Sequence, residues 1–287
     1  MRGLVVPCAA LVLTVLAAAP AAADEPPFVH YVGLQTAALE FPPYGTLVLS
    51  LGAEYLPDVN NDLAGVRGEL ARFPTVGIGL GLSDNALFQI TWPAFNRLRV
   101  HSQVQPPILG LDLGGVSTGW GDVTAATLIQ IRPPDGASPG FGIKFAAELP
   151  NSNEKLGIGD NSTDVFASIL LADRPVRRLA LYGDVGLGIL SDRKAVFTQN
   201  DVLTFGVLAD WQVNDGLHAV GETAGRWSTH RAGPETGSRA ELRGGVEIGR
   251  GATRTSVLLV EGVDGWSSGL GVSVNVTTQI AALKRRH

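Results

Sequence analysis

In every candidate strand from Thr46 onward, apolar side chains occupy every second position, with glycine, serine, threonine or a charged residue between them. The sharpest case is Ala240, Leu242, Gly244, Val246 and Ile248, interleaved with Arg239, Glu241, Arg243, Gly245 and Glu247. Strand side chains alternate faces with period two, so one face of this segment is apolar and the other carries four ionised groups. A soluble sandwich could bury the first face. The pattern recurs about a dozen times, however, in segments of roughly 9 to 11 residues, the length a tilted strand needs to cross a bilayer. It predicts an all-β fold: a transmembrane up-and-down antiparallel β-barrel of about 12 strands.

The predicted strands are Thr46 to Tyr55, Val76 to Leu82, Phe88 to Trp92, Asp122 to Ile131, Gly140 to Leu149, Asp164 to Ala172, Leu179 to Leu190, Asp201 to Trp211, Leu217 to Arg226, Arg239 to Ile248, Arg254 to Glu261 and Ser268 to Thr277. Short connections (Ser83 to Asn85, Arg132 to Pro139, Asp173 to Arg178, Gln212 to Gly216, Gly249 to Thr253) alternate with generally longer ones, as short periplasmic turns and longer external loops do. Pro93 to Gly121 reads as the longest loop, and its Ile108-Leu109-Gly110-Leu111 stretch could fold inward. Aromatic residues gather at strand ends, with Tyr55, Trp92, Trp120, Trp227 and Trp266 at the expected outer end and Phe141 and Trp211 at the inner, where amphipathic rings favour headgroups.

Composition narrows the setting. Met1 to Ala23 reads as an export signal, with Arg2, an apolar stretch and Ala21-Ala22-Ala23 ahead of Asp24. The expected organisation is a signal peptide at 1–23, a proline-bearing periplasmic lead-in at 24–45, an outer-membrane barrel at 46–277 and a basic tail at 278–287. Cys8 is the sole cysteine, so the exported part has no disulfide or thiol chemistry. The balance of 22 Lys+Arg against 27 Asp+Glu argues against nucleic acid as a partner. The expected partners are outer-membrane lipid, a small-molecule solute and the barrel-assembly machinery, for a monomer in the cell outer membrane.

Charges decide which face is the lumen. Glu54, Lys144, Glu148, Asp184, Asp210, His218, Glu222, Arg239, Glu241, Arg243 and Glu247 lie opposite the apolar positions. A basic group facing lipid near the midplane costs roughly 2–4 kcal/mol, so this face must point inward. These residues would either solvate the interior through ion pairs or touch a passing solute. Glycines on the same face, among them Gly142 and Gly206, leave a free lumen or room for a plug.

From Gly119 onward the chain resembles a family of outer-membrane transporters named for the meta-pathway of phenol degradation. The matching stretches are Gly119-Trp120-Gly121-Asp122-Val123-Thr124, Gly142-Ile143-Lys144 leading to Glu148-Leu149-Pro150-Asn151, Gly157-Ile158-Gly159 before Ser162-Thr163-Asp164, Tyr182-Gly183-Asp184-Val185-Gly186, Glu222, Arg243-Gly244-Gly245-Val246 and Gly269-Leu270-Gly271-Val272. The resemblance implies a twelve-stranded barrel that carries small, often aromatic or apolar, molecules, and it supplies no catalytic residues. The basic end Lys284-Arg285-Arg286-His287 departs from the aromatic last residue of many barrels.

Motifs for chemistry are sparse. The five histidines make no metal-ligand spacing, and no cofactor is expected. His218 and Glu222 could share a polar site on one strand. Ser228 and His230 on one outer loop, with Asp264 on another, would be the parts of a rim hydrolase, the least favoured reading. Oxygens between Asn151 and Asp164 lack a calcium-loop pattern. The expected function is passive passage of small solutes, without enzymatic activity, and the alternative is a non-conducting structural or surface-binding barrel.

Overall fold

In the computed structural model, residues 33–61, 64–103, 115–135, 138–159, 161–191, 199–228, 237–263 and 269–281 are described. The export signal, Ile108 to Leu111, His230, Asp264, Trp266 and the terminal basic run lie outside them. The strands are β1 (Thr46–Asn61), β2 (Val66–Ser83), β3 (Ala86–Pro93), β4 (Asn96–Gln103), β5 (Val116–Gly119), β6 (Val123–Arg132), β7 (Gly140–Leu149), β8 (Asp164–Val176), β9 (Leu179–Ser191), β10 (Gln199–Asn214), β11 (Leu217–Ser228), β12 (Arg239–Arg250), β13 (Thr253–Gly262) and β14 (Gly271–Ala281). Each pairs antiparallel with its neighbours, and β1 closes the sheet by pairing with both β2 and β14. The result is a closed barrel of 12 strands.

The fourteen segments reduce to twelve because β4 continues β3 and β5 continues β6. Thr91 faces Thr124, and the same number of residues further along each strand Asn96 faces Gly119, so the register carries across the gap unchanged. Proline makes the gap. Pro74 and Pro93 lack an N–H for the ladder, and β2 holds an extra residue relative to β1 between Thr75 and Arg72. Phe73 N donates to Phe95 O at 2.9 Å, Ala94 N to Pro74 O at 2.9 Å and Gly121 N to Pro93 O at 2.8 Å, which keeps the wall bonded through the kink.

Three sequence expectations change here. The connection placed at Leu56 to Glu69 is largely a strand hairpin, since β1 runs to Asn61 and β2 starts at Val66. Pro93 to Gly121 holds β4 and β5 rather than loop alone. The last strand continues past Thr277 to Ala281. In the first two cases the prolines and the bulge interrupt period two, so the alternation loses its phase although the pairing does not.

Burial is inverted relative to a soluble protein. On β9, Val185, Leu187 and Ile189 are 51%, 64% and 42% exposed, while Asp184 is 6% exposed. Phe145, Leu171, Ile248, Leu259 and Val276 are exposed in the same way, and Glu222, Arg243 and Glu247 are buried. An apolar belt of this extent has no place in water. The alternation therefore faces lipid outward and a polar interior inward, and closure of the sheet removes the sandwich alternative.

Residues Gly33 to Gly45 run inside the barrel, where the sequence suggested a periplasmic lead-in. Ala38, Leu39 and Phe41 form one apolar core with Leu87, Ala126, Leu128, Leu170, Tyr182, Leu208, Val220 and Leu258, all from the surrounding wall. This core fills the half of the lumen nearer the short turns. A second cluster of Leu56, Val59, Val66, Leu70, Leu98 and Val260 gathers on the inward side toward the long loops.

Candidate functional site: the lumen

The arm is tied to the wall along its length. Gly45 N donates to Gly81 O at 2.8 Å beside the start of β1, and Gln130 Nε2 on β6 donates to Leu39 O at 2.8 Å. Glu40 receives the Tyr182 hydroxyl at 2.7 Å and pairs with Arg174. Higher up, a single oxygen of Glu222 on β11 accepts the backbone N–H of Gln35 at 2.8 Å and that of Thr36. Two amide donors on one carboxylate are strong, charge-assisted bonds. Glycine gives the arm its space: a Cβ on Gly206 would come 2.5 Å from Thr36 Oγ1, and one on Gly142 would run into Leu39 and the Ile129 carbonyl.

Above the arm lies a cavity of about 560 Å³ lined by Gln35 and Thr36 and by residues from most of the wall. An ion-pair network crosses it. Glu54 on β1 accepts from Arg72 at 2.8 Å and from Arg243 on β12 at 3.0 Å, although β13 and β14 stand between those two strands. Arg243 also binds Glu241 at 2.7 Å and donates to the Gly33 carbonyl at 2.8 Å, and Gln35 Nε2 reaches the same Glu241 oxygen at 2.7 Å. Lys144 pairs with Asp184 on the far wall. A buried carboxylate bound by two guanidiniums is held where the desolvation cost of each charge is offset by its partners.

Of the residues singled out in the sequence, Glu54, Lys144, Asp184, Arg239, Glu241 and Arg243 line the cavity. Glu222 lies beneath it, holding the arm. Asp210, His218 and Glu247 are buried nearer the short turns, where His218 Nδ1 lies 2.7 Å from Asp210 Oδ1. His218 and Glu222 thus serve separate contacts, not one shared site. Glu148 lies on the inward face of β7 beyond Ala146, opposite Thr124 and Asp164, and is not in the cavity wall. Ser228 accepts from Asn200 Nδ2 at 3.1 Å and donates its amide to Ser238 Oγ at 3.2 Å.

Sequence reasoning missed Arg72 and Arg226, which also line the cavity. Arg226 shares the parity of Glu222 and could have been read from it. Arg72 sits beyond the bulge, where parity from Val76 to Leu82 no longer applies. The arm carries no periodic signal at all. The loop between β7 and β8, weighed for calcium, instead folds on Asp122: its carboxylate accepts the amides of Asn151 at 3.1 Å, Ser152 at 2.8 Å and Asn161 at 3.0 Å, with Ser152 Oγ at 2.8 Å.

No protein-family model matches the chain, and no curated protein matches it in sequence. Among solved structures, the COG4313 outer membrane channel from Pseudomonas putida F1 superposes with a TM-score of 0.66 at 13% identity, covering 86% of this chain and 100% of that one. The NanC porin gives 0.49 at 10% identity over 80% of this chain and 97% of that one. The Pseudomonas putida toluene transporter TodX gives 0.39 at 10% identity, with 84% and 90% covered. The likeness is one of fold: the chain has the barrel architecture of an outer-membrane channel.

Proposed function

We propose that the chain is an outer-membrane channel giving passive passage to small solutes. One observation carries this reading, the cavity of about 560 Å³, lined in part by ion-paired side chains, inside a closed barrel whose outer surface is apolar. A barrel built only to hold loops has no use for a lumen of that size lined by buried charges. Export would follow from removal of Met1 to Ala23, and a monomer inserted by the barrel-assembly machinery is sufficient, since the site lies within one chain. The resemblance from Gly119 onward extends the reading to small solutes with aromatic or apolar parts.

A second reading has its own support. The arm and the apolar core around Leu39 fill the short-turn half of the lumen, as a non-conducting structural barrel would require. Planar-bilayer recording separates the two. Steady single-channel openings from the purified chain, larger in a variant lacking residues 24–41, support a channel closed in part by its arm. A folded, heat-modifiable protein that stays silent in both forms would favour the structural barrel.

A further inference from the structure

The wall does not end at one height. Above the proline kink β1, β2, β4 and β5 run on side by side, and the outward face of this extension changes character. Up to the kink its outward side chains are apolar: Leu82, Ile78 and Phe73 on β2, with Phe95 at the foot of β4, are all exposed. Tyr55 and Trp120 are exposed at the same level, and such rings favour the headgroup region, so the hydrocarbon ends here. Beyond it β4 presents Arg97, Arg99 and His101, each exposed, with Leu98 buried between the two arginines.

The register sets these groups in rows. Tyr55, Ala71, Arg97 and Thr118 face one another in turn across the four strands. Two residues further along, about 7 Å higher, Arg99 stands between Glu69 and Val116. The carboxylates of this face have partners, since Glu69 accepts from Arg99 Nη1 at 3.1 Å and from the Tyr55 hydroxyl at 2.7 Å, and Asp58 pairs with Arg67. Among the described residues Arg99 is bound through that one side-chain nitrogen alone, and the Arg97 side chain makes no hydrogen bond or ion pair. Planar guanidiniums match a phosphate in a bidentate manner, and basic side chains beside a lipid-facing surface attract anionic headgroups.

We infer that Arg97 and Arg99 dock the phosphates of a lipopolysaccharide molecule in the outer leaflet, whose acyl chains lie against Phe73 and Phe95. Height and charge both select this partner. A soluble anion would need the arginines alone, whereas guanidiniums set directly above exposed lipid-facing rings meet a molecule that carries phosphate and acyl chains at the same two levels. The surface lies outside the lumen, so it goes beyond the channel reading and relies only on the outer-membrane location that reading includes.

Native mass spectrometry of the detergent-purified full chain tests this with bisphosphorylated lipid A, the same lipid stripped of its phosphates, and phosphatidylglycerol. At equal concentration bisphosphorylated lipid A is expected to bind roughly fivefold or more better than either of the others. Arg97→Ser with Arg99→Ser is expected to erase that margin, whereas Arg132→Ser with Lys155→Ser, which removes the same charge from exposed positions elsewhere, leaves it intact. Stripped lipid A binding equally well would overturn the phosphate contact, and phosphatidylglycerol binding equally well would overturn the glycolipid. A margin that survives in a folded, heat-modifiable form of the double arginine variant would overturn this row as the seat. The lipid comparisons use the unaltered protein, so a variant that does not fold leaves the outcome decided. None of them depends on conduction, and a silent barrel that keeps the margin would retire the channel reading while leaving this surface standing.

Discussion

Arg243 is the residue on which the upper lumen turns, since it joins Glu54, Glu241 and the Gly33 carbonyl from three directions. Arg243→Ala would leave Glu54, deep in the wall, and the partly buried Glu241 each short of a partner, and breaking a buried pair in this way typically costs about 3–5 kcal/mol. The urea midpoint of the refolded barrel should fall accordingly. Glu222→Gln is milder, because an amide oxygen still accepts while the charge assistance is lost, weakening the hold on the arm by about 1–2 kcal/mol. A single-cysteine probe at Gln35 should then react faster with an impermeant thiol reagent than it does in the parent. Unchanged labelling would show that Glu222 does not retain the arm. Single residues were legible in the sequence to the degree that parity held: Glu54, Lys144 and Arg243 each lie in an unbroken alternating segment. Arg72 was hidden by one extra residue between it and Thr75.

At the scale of elements, the wall and the arm obey different physics. The strands announce themselves through period two, because one face meets lipid and the other does not. Residues 36–42 are enclosed by the wall, buried at all but Ala37, so no periodicity marks them. The glycines opposite hinted at space but could not say what fills it. Gly206→Val offers a direct test, for the three atoms nearest the new Cβ all belong to the Thr36 side chain, and the variant should show severalfold larger single-channel conductance with unchanged heat-modifiable mobility. The outer β1–β2 hairpin supplies a pH test. Glu69 is held below the usual carboxylate range, first by the Tyr55 hydroxyl at 2.7 Å and then by Arg99 at 3.1 Å. A depressed carboxyl stabilises above its unfolded pKa, and that contribution disappears as pH falls through the lower folded value. Amide exchange in the hairpin of the parent and of Glu69→Gln should differ at neutral pH and converge in acid.

For the molecule as a whole, the barrel follows from a single asymmetry repeated around a closed ring. Twelve strands turn exposed apolar side chains outward and keep buried Asp184, Glu222, Arg243 and Glu247 inside. The sequence carried the strand number, because β4 and β5, which it placed in the loop Pro93 to Gly121, only extend β3 and β6 in one register and add no strand to the ring. It did not carry the closed short-turn half, which depends on an arm returning into the lumen. Everything rests on lipid covering the outer set of side chains. Because Cys8 is the only cysteine and lies within the expected export signal, a spin label can be walked singly through residues 183–189 of β9 in liposomes. Oxygen accessibility should oscillate every second residue, with maxima at Val185, Leu187 and Ile189. A flat profile, or maxima at Asp184, Gly186 and Gly188, would contradict the account.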